Sequence, residues 1–193
     1  MPYKAVVIGS SAGGFQALGR LIPKFPKEFS MPIFIVQHTS ANSDNYLAKH
    51  LDKLSNLIVK EADEKEIIQS GYVYIAPPNY HLLIEEDHTL SLSTEAKKNY
   101  SRPSIDILFE TAAIAFTDSL IGVVLTGANN DGAKGLLEIK KAGGYCIVQQ
   151  PKDAHVDTMP VSAIELVKPN KILNIDDIAD FIIELDKRRK PEK

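Results

Sequence analysis

Short apolar runs and amphipathic stretches alternate along the first half of the chain. Residues 5–8 form an unbroken apolar run, the pattern of a strand buried on both faces. Residues 15–22 carry apolar side chains at helical spacing and stop near Pro23. Residues 33–37 predict a second strand, 45–54 a second helix and 57–59 a third strand. Such alternation predicts a parallel sheet with helices on its faces, because parallel strands require crossover connections.

The middle of the chain changes character. Residues 72–76 read as a strand ending at Pro77-Pro78-Asn79. Residues 81–84 and 89–92 flank Glu85-Glu86-Asp87-His88, the pattern of an antiparallel hairpin. A helix opens at Arg102-Pro103-Ser104-Ile105-Asp106, with Ser104 as candidate cap and Ile105, Leu108, Phe109, Ala112 and Ala113 on one face. Residues 121–126 predict a buried strand that runs into Gly127-Ala128-Asn129-Asn130-Asp131-Gly132, followed by a helix to about Lys141. Residues 144–149 predict another strand; 161–167 and 176–185 are helical. The fold class expected is α/β: a doubly wound, mostly parallel sheet with helices on both faces and one antiparallel β-hairpin. One domain over residues 1–186 is expected, with residues 187–193 as a basic, solvated tail.

Composition narrows the function classes. With 193 residues and 44% hydrophobic positions the chain can bury the core of one domain. A net charge of −3 makes no case for nucleic acid, and Lys187-Arg188-Arg189-Lys190 is the one local basic excess. The single Cys146 excludes an internal disulfide and cysteine-ligand metal spacing. The start lacks a signal-peptide pattern, and the apolar runs are too short to span a membrane. A cytoplasmic protein without membrane insertion is the expectation.

The corner Gly9-Ser10-Ser11-Ala12-Gly13-Gly14, between the first strand and first helix, poses the functional question. As a dinucleotide fingerprint it fails: Ser11 replaces the middle glycine, and the second strand ends Val36-Gln37-His38 without an acid for a ribose. A P-loop would need Gly-Lys followed by Ser or Thr, which is absent. A nucleophile on a strand-to-helix turn would need a histidine and an acid at neighbouring strand ends. Ser11, His38 and Asp131 follow the first strand, the second strand and the strand at 121–126. Each has an ordinary alternative: Ser11 as a small turn residue, His38 as a structural histidine, Asp131 as cap of the helix that follows it.

Gly9-Ser10-Ser11-Ala12-Gly13-Gly14, Gln37-His38, Tyr74-Ile75-Ala76-Pro77 with Tyr80-His81, Arg102-Pro103-Ser104-Ile105-Asp106, Leu125-Thr126-Gly127 with Asn130-Asp131-Gly132, and Met159-Pro160 occur in this order. Together they resemble the catalytic domain of the chemotaxis-receptor protein-glutamate methylesterases (CheB-type), from about residue 5 to about 185. The resemblance implies hydrolysis of glutamate γ-methyl esters on the cytoplasmic helices of chemoreceptors, with glutamine deamidation in some members, and no metal or organic cofactor. It implies Ser11 as nucleophile, His38 as base and Asp131 as the orienting acid. Ala12, Gly13 and Ala128 are the candidate backbone donors to an oxyanion, and Arg102 and Met159 the candidate substrate contacts.

Two residue-level departures stand out. Ala12 replaces the threonine usual after the nucleophile, and Ala128-Asn129 replaces Met-Gly in the family pattern Thr-Gly-Met-Gly-x-Asp-Gly. Backbone amides survive both changes; side-chain support does not. Family members commonly carry an N-terminal receiver domain, for which this chain leaves no room, so control is expected from a separate regulatory protein. The competing expectation is a binding module with the same fold that lost catalysis or changed substrate.

Overall fold

The computed structural model describes residues 3–40 and 44–187; the expected tail beyond Lys187 lies outside them. Among the described residues, strands and helices follow in the order β1 (Ala5–Ser10), α1 (Gly14–Leu21), β2 (Ile33–Gln37), α2 (Tyr46–Leu54), β3 (Ile58–Glu61), β4 (Tyr72–Ile75), β5 (His81–Ile84), β6 (Leu90–Ser93), α3 (Ile105–Phe116), β7 (Leu120–Val124), α4 (Ala133–Lys141), β8 (Tyr145–Gln149), α5 (Thr158–Val167), β9 (Lys171–Leu173) and α6 (Ile175–Lys187). Seven strands form one sheet in the order β3-β4-β2-β1-β7-β8-β9, with every neighbouring pair parallel. β5 and β6 pair antiparallel as a separate two-stranded element. The doubly wound α/β class with its hairpin is thus the observed one.

Strand β1 shows how the sequence builds two cores. Ala5 and Val7 face one side, with α3, α4, α5 and the hairpin; Val6 and Ile8 face the other, with α1, α2 and α6. Both sets are fully buried, so the strand reads as a continuous apolar run rather than an alternating one. Two elements differ from the sequence expectation. Helix α5 starts three residues earlier than the apolar pattern indicates, at Thr158. Pro160 hides that start, yet in a first turn a proline removes no helical hydrogen bond. Strand β9 was not expected: three residues, with Lys171 and Ile172 exposed at the sheet edge, carry almost no periodic signal.

The topology sets the location of chemistry. From β1 the chain builds outward through β2, β4 and β3 on one side; from β7 it builds outward through β8 and β9 on the other. The reversal falls between β1 and β7, where open α/β sheets leave a crevice beyond their carboxyl ends. Register makes these ends level: Ser10 pairs with Gln37 and Gly9 with Val124. Residues 11, 38 and 125 therefore leave the sheet side by side.

Helix α3 packs tightly against that crevice. A Cβ on Gly9 would come within 2.3 Å of Ile105 Cγ2, and Ile105 is fully buried. Among the described residues no helix is long and apolar enough to cross a membrane. Gly9→Ala is expected to destabilise the fold by about 1–3 kcal/mol through overpacking against Ile105; an unchanged urea midpoint would show that α3 can shift freely.

Candidate active site

The Ser11 turn is held by backbone. Ser11 N–H donates to Thr126 O at 2.9 Å, and Gly14 N–H donates to Ser11 O at 2.8 Å. Gly13 takes φ 80°, and a Cβ there would lie 2.5 Å from His155 Cβ. Glycine is therefore required by both conformation and space. Ser11 Cβ itself lies near Gly127, where an added Cβ would sit 3.0 Å from it and 2.5 Å from Met159 Cε. Met159 is fully buried and walls the serine turn. Among the described residues, the Ser11 hydroxyl forms no hydrogen bond.

The Gln37 carboxamide joins the ends of β1 and β2. Its Oε1 accepts from Ser10 Oγ at 2.7 Å, and its Nε2 donates to the carbonyls of Ser11 and His38, each at 2.9 Å. His38 N–H donates to Ser10 O at 3.0 Å. On the other side, Thr126 Oγ1 donates to Ala12 O at 2.8 Å, and Thr126 N–H donates to Gln149 Oε1 at 2.9 Å. Gln37 and Thr126 entered the sequence reading only as members of motifs, and Gln149 only within a strand; no local pattern marks a carboxamide as a stitch between strands.

Asp131 is fully buried and accepts from five donors. Its Oδ2 accepts from His38 Nε2 at 2.8 Å and Ile105 N–H at 2.7 Å. Its Oδ1 accepts from Asn99 Nδ2 at 2.9 Å, Ser104 Oγ at 3.0 Å and Asp106 N–H at 3.2 Å. Asp131 thus caps α3, not the helix that follows it. Ser104, the expected cap, instead spends its hydroxyl on Asp131. The N-terminus of α4 is served by Asp106, whose Oδ1 accepts from Gly132 N–H at 2.9 Å and Gly135 N–H at 2.7 Å. The two helices exchange caps.

Asn99 Nδ2 bridges the exchange, reaching Asp106 Oδ2 at 2.8 Å and Asp131 Oδ1 at 2.9 Å. Burial raises the Asp106 carboxyl above the usual carboxylate value, and the charge of Asp131 adds to the rise against the opposing Gly135 N–H. Burial acts on Asp131 in the same sense, but the bonds from His38, Asn99 and Ile105 outweigh it and hold this carboxyl below the usual value. Asp131 keeps its charge, and Asp106 is the first of the two to take a proton.

The His38 ring is tied through Nε2, which leaves Nδ1 as the nitrogen that can accept a proton. Nε2 donates to a carboxylate and therefore carries the hydrogen. Asn129 Nδ2 lies 3.4 Å from Nδ1. His81 occupies a different role: it is fully buried, its Nδ1 accepts from Ser104 N–H at 3.1 Å, and its Nε2 lies 3.2 Å from Ala96 O. Burial lowers its pKa from the usual histidine value. Both its nitrogens are committed to holding the entry to α3.

The other candidates divide. Among the described residues, the N–H groups of Ala12, Gly13 and Ala128 donate to no protein acceptor, whereas Gly127 N–H is spent on Val156 O at 3.0 Å. Arg102 Nε and Nη2 donate to Asn79 Oδ1 at 3.1 and 2.7 Å, and Nη1 donates to the carbonyls of Thr94 and Glu95. It fastens the chain after β4 to the strap after β6. Its edge also borders a cavity of about 150 Å³ shared with His38, Lys97 and Tyr100. Cys146 is inert packing, its thiol pushed up to about 12 by burial.

A serine on a strand-to-helix turn, a histidine bonded to a buried aspartate and unspent N–H groups are the parts that an acyl-transfer site uses. The model of the CheB methylesterase family matches residues 6–182. A Leptospira interrogans protein with the provisional name protein-glutamate methylesterase/protein-glutamine glutaminase is 51% identical over all 193 residues and over its own full length. A protein-glutamate methylesterase/protein-glutamine glutaminase of Halalkalibacterium halodurans is 38% identical over 95% of this chain, which spans 54% of that protein. The crystal structure of the Thermotoga maritima CheB methylesterase catalytic domain superposes with a TM-score of 0.91 at 38% identity, covering 96% of this chain and all of that one. The chain belongs to the CheB methylesterase family.

Asn99→Ala is expected to cost about 2 kcal/mol near neutral pH, because it leaves two buried carboxylates facing one another without a shared donor. The loss should shrink at a lower pH, once the raised Asp106 group takes a proton and the repulsion ends. Urea denaturation at the two pH values checks this; a pH-independent loss would mean that the carboxylates do not oppose each other.

Proposed function

We propose that the chain hydrolyses γ-methyl esters of glutamate on the cytoplasmic helices of methylated chemoreceptors, with Ser11 as nucleophile, His38 as base and Asp131 as the acid that orients it. Residues 1–186 act as one catalytic domain in the cytoplasm. The observation that carries this reading is the 2.8 Å bond from His38 to the buried Asp131 beside the Ser11 turn. It also weighs against a binding module that has lost catalysis, since such a module has no need of a histidine tied to that carboxylate beside the serine turn.

Ser11 Oγ attacks the ester carbonyl and passes its proton to Nδ1 of His38. The Nε2–H bond to Asp131 fixes the tautomer beforehand, and the carboxylate stabilises the imidazolium that forms. The N–H groups of Ala12, Gly13 and Ala128 are the donors for the oxyanion, and Gly127 is not among them because its N–H is occupied. Nδ1–H then protonates the departing methoxide as methanol. Water attacks the acyl-enzyme with His38 again as base, which restores Ser11 and leaves glutamate. The double name of the relatives supports glutamine as a second substrate: the same steps with ammonia as leaving group give glutamate.

Ser11→Ala should keep the fold and lower methanol release from methylated receptor membranes by roughly 10⁴ or more. A folded variant with near wild-type turnover would falsify the nucleophile. Asp131→Asn should lower the rate by about 10⁴ and also the melting temperature, because an amide turns its NH₂ toward donors that the carboxylate accepts. Full activity in a stable Asp131→Asn protein would leave Asp131 with capping alone.

A further inference from the structure

Asn129 stands where the family pattern has glycine, and its side chain is committed at both ends. Its Oδ1 accepts from Asp131 N–H at 3.1 Å, closing an Asx turn. That bond settles which end of the amide is oxygen and turns Nδ2 toward His38, 3.4 Å from Nδ1. His38 Nε2 carries the ring hydrogen toward Asp131, so Nδ1 presents a lone pair to an N–H donor. The contact is matched, and it covers the lone pair that must receive the Ser11 proton. The Ser11 hydroxyl forms no hydrogen bond among the described residues, in keeping with an acceptor already engaged.

We propose that Asn129 is a positioning residue that occupies the proton-accepting nitrogen of His38 in the resting site and must be displaced before Ser11 can be deprotonated. This rests on the triad reading above. The chemistry sets the sign. Once Nδ1 has taken a proton it is itself a donor, and the Asn129 amide then opposes donor to donor. The contact therefore favours the resting state over the reacting one. At 3.4 Å it is long enough to yield to a substrate that brings its own polar groups. A glycine at this position has no amide to withdraw, so the substitution installs a restraint within the catalytic loop itself.

The test uses the full chain and a small uncharged p-nitrophenyl phosphonate, which phosphonylates a serine with release of p-nitrophenolate. Asn129→Ser keeps an oxygen for Asp131 N–H but is too short to reach Nδ1; Asn129→Ala removes both contacts and serves as the second variant. Both should label at Ser11 about threefold faster than the native chain, the gain expected from freeing one long hydrogen bond. The ¹⁵N resonance of His38 Nδ1 should move toward that of an unbonded lone pair in Asn129→Ser, while Nε2 stays in place. A merely structural residue would move neither reading in that sense. Equal or slower labelling with an unmoved Nδ1 resonance overturns the proposal and leaves the triad standing. Absence of Ser11 labelling in the native chain and both variants overturns the triad, and this proposal with it.

Discussion

The exchange of carboxylates between α3 and α4 is the constraint on which the site depends. Asp131 lies ahead of α4 and serves the N-terminus of α3; Asp106 lies within α3 and serves that of α4. Helix N-termini favour negative charge, so each buried acid meets N–H groups that offset part of the cost of burying it. Neither helix can slide along the sheet without stripping the cap from the other. The position of Asp131 is therefore fixed by the fold before any histidine is considered. His38 is one donor among five, and it inherits its orientation from a carboxylate already held by backbone.

The sheet supplies the other half of the precision. β1 and its two neighbours end level, and short polar side chains join their turns. The small residues of the opening corner follow from crowding more than from flexibility. His155 presses on Gly13, Gln37 on Gly14, and Met159 on Gly127. The result is a turn whose serine is exposed to the crevice while its backbone is enclosed. Gly127 N–H, spent on Val156 O, is removed from the unspent donors of the crevice.

Much of this was legible in the sequence, for physical reasons. Continuous apolar runs of four to six residues mark strands buried on both faces, so β1, β2 and β7 were plain, and their ends located Ser11, His38 and Asp131. What escaped were features decided between elements. An aspartate just before a helix looks like that helix's cap, and no one-dimensional pattern shows that Asp131 reaches across to α3. Asn99 lies in a polar strap with no periodic pattern to mark it; its bridge exists only after α3 and α4 pack. The orientation of the His38 ring was equally hidden. A histidine can meet a carboxylate through either ring nitrogen, and only the structure shows that His38 uses Nε2. Edge strand β9 was missed because three residues carry too little periodicity to register.

The Gln37 carboxamide limits which sequences can carry this site. Its oxygen receives the Ser10 hydroxyl, while its nitrogen supplies hydrogens to two backbone carbonyls. Glutamate would match the length but set negative charge against both carbonyl oxygens. Methionine would fill the space and satisfy none of the three partners. Asparagine has the right chemistry and falls one methylene short. Residue 37 is therefore closed to gradual change: drift there separates the serine turn from the histidine turn even when Ser11 and His38 are intact. A chain that retained Ser11, His38 and Asp131 but varied at this position would carry the same three letters on turns no longer held in common register.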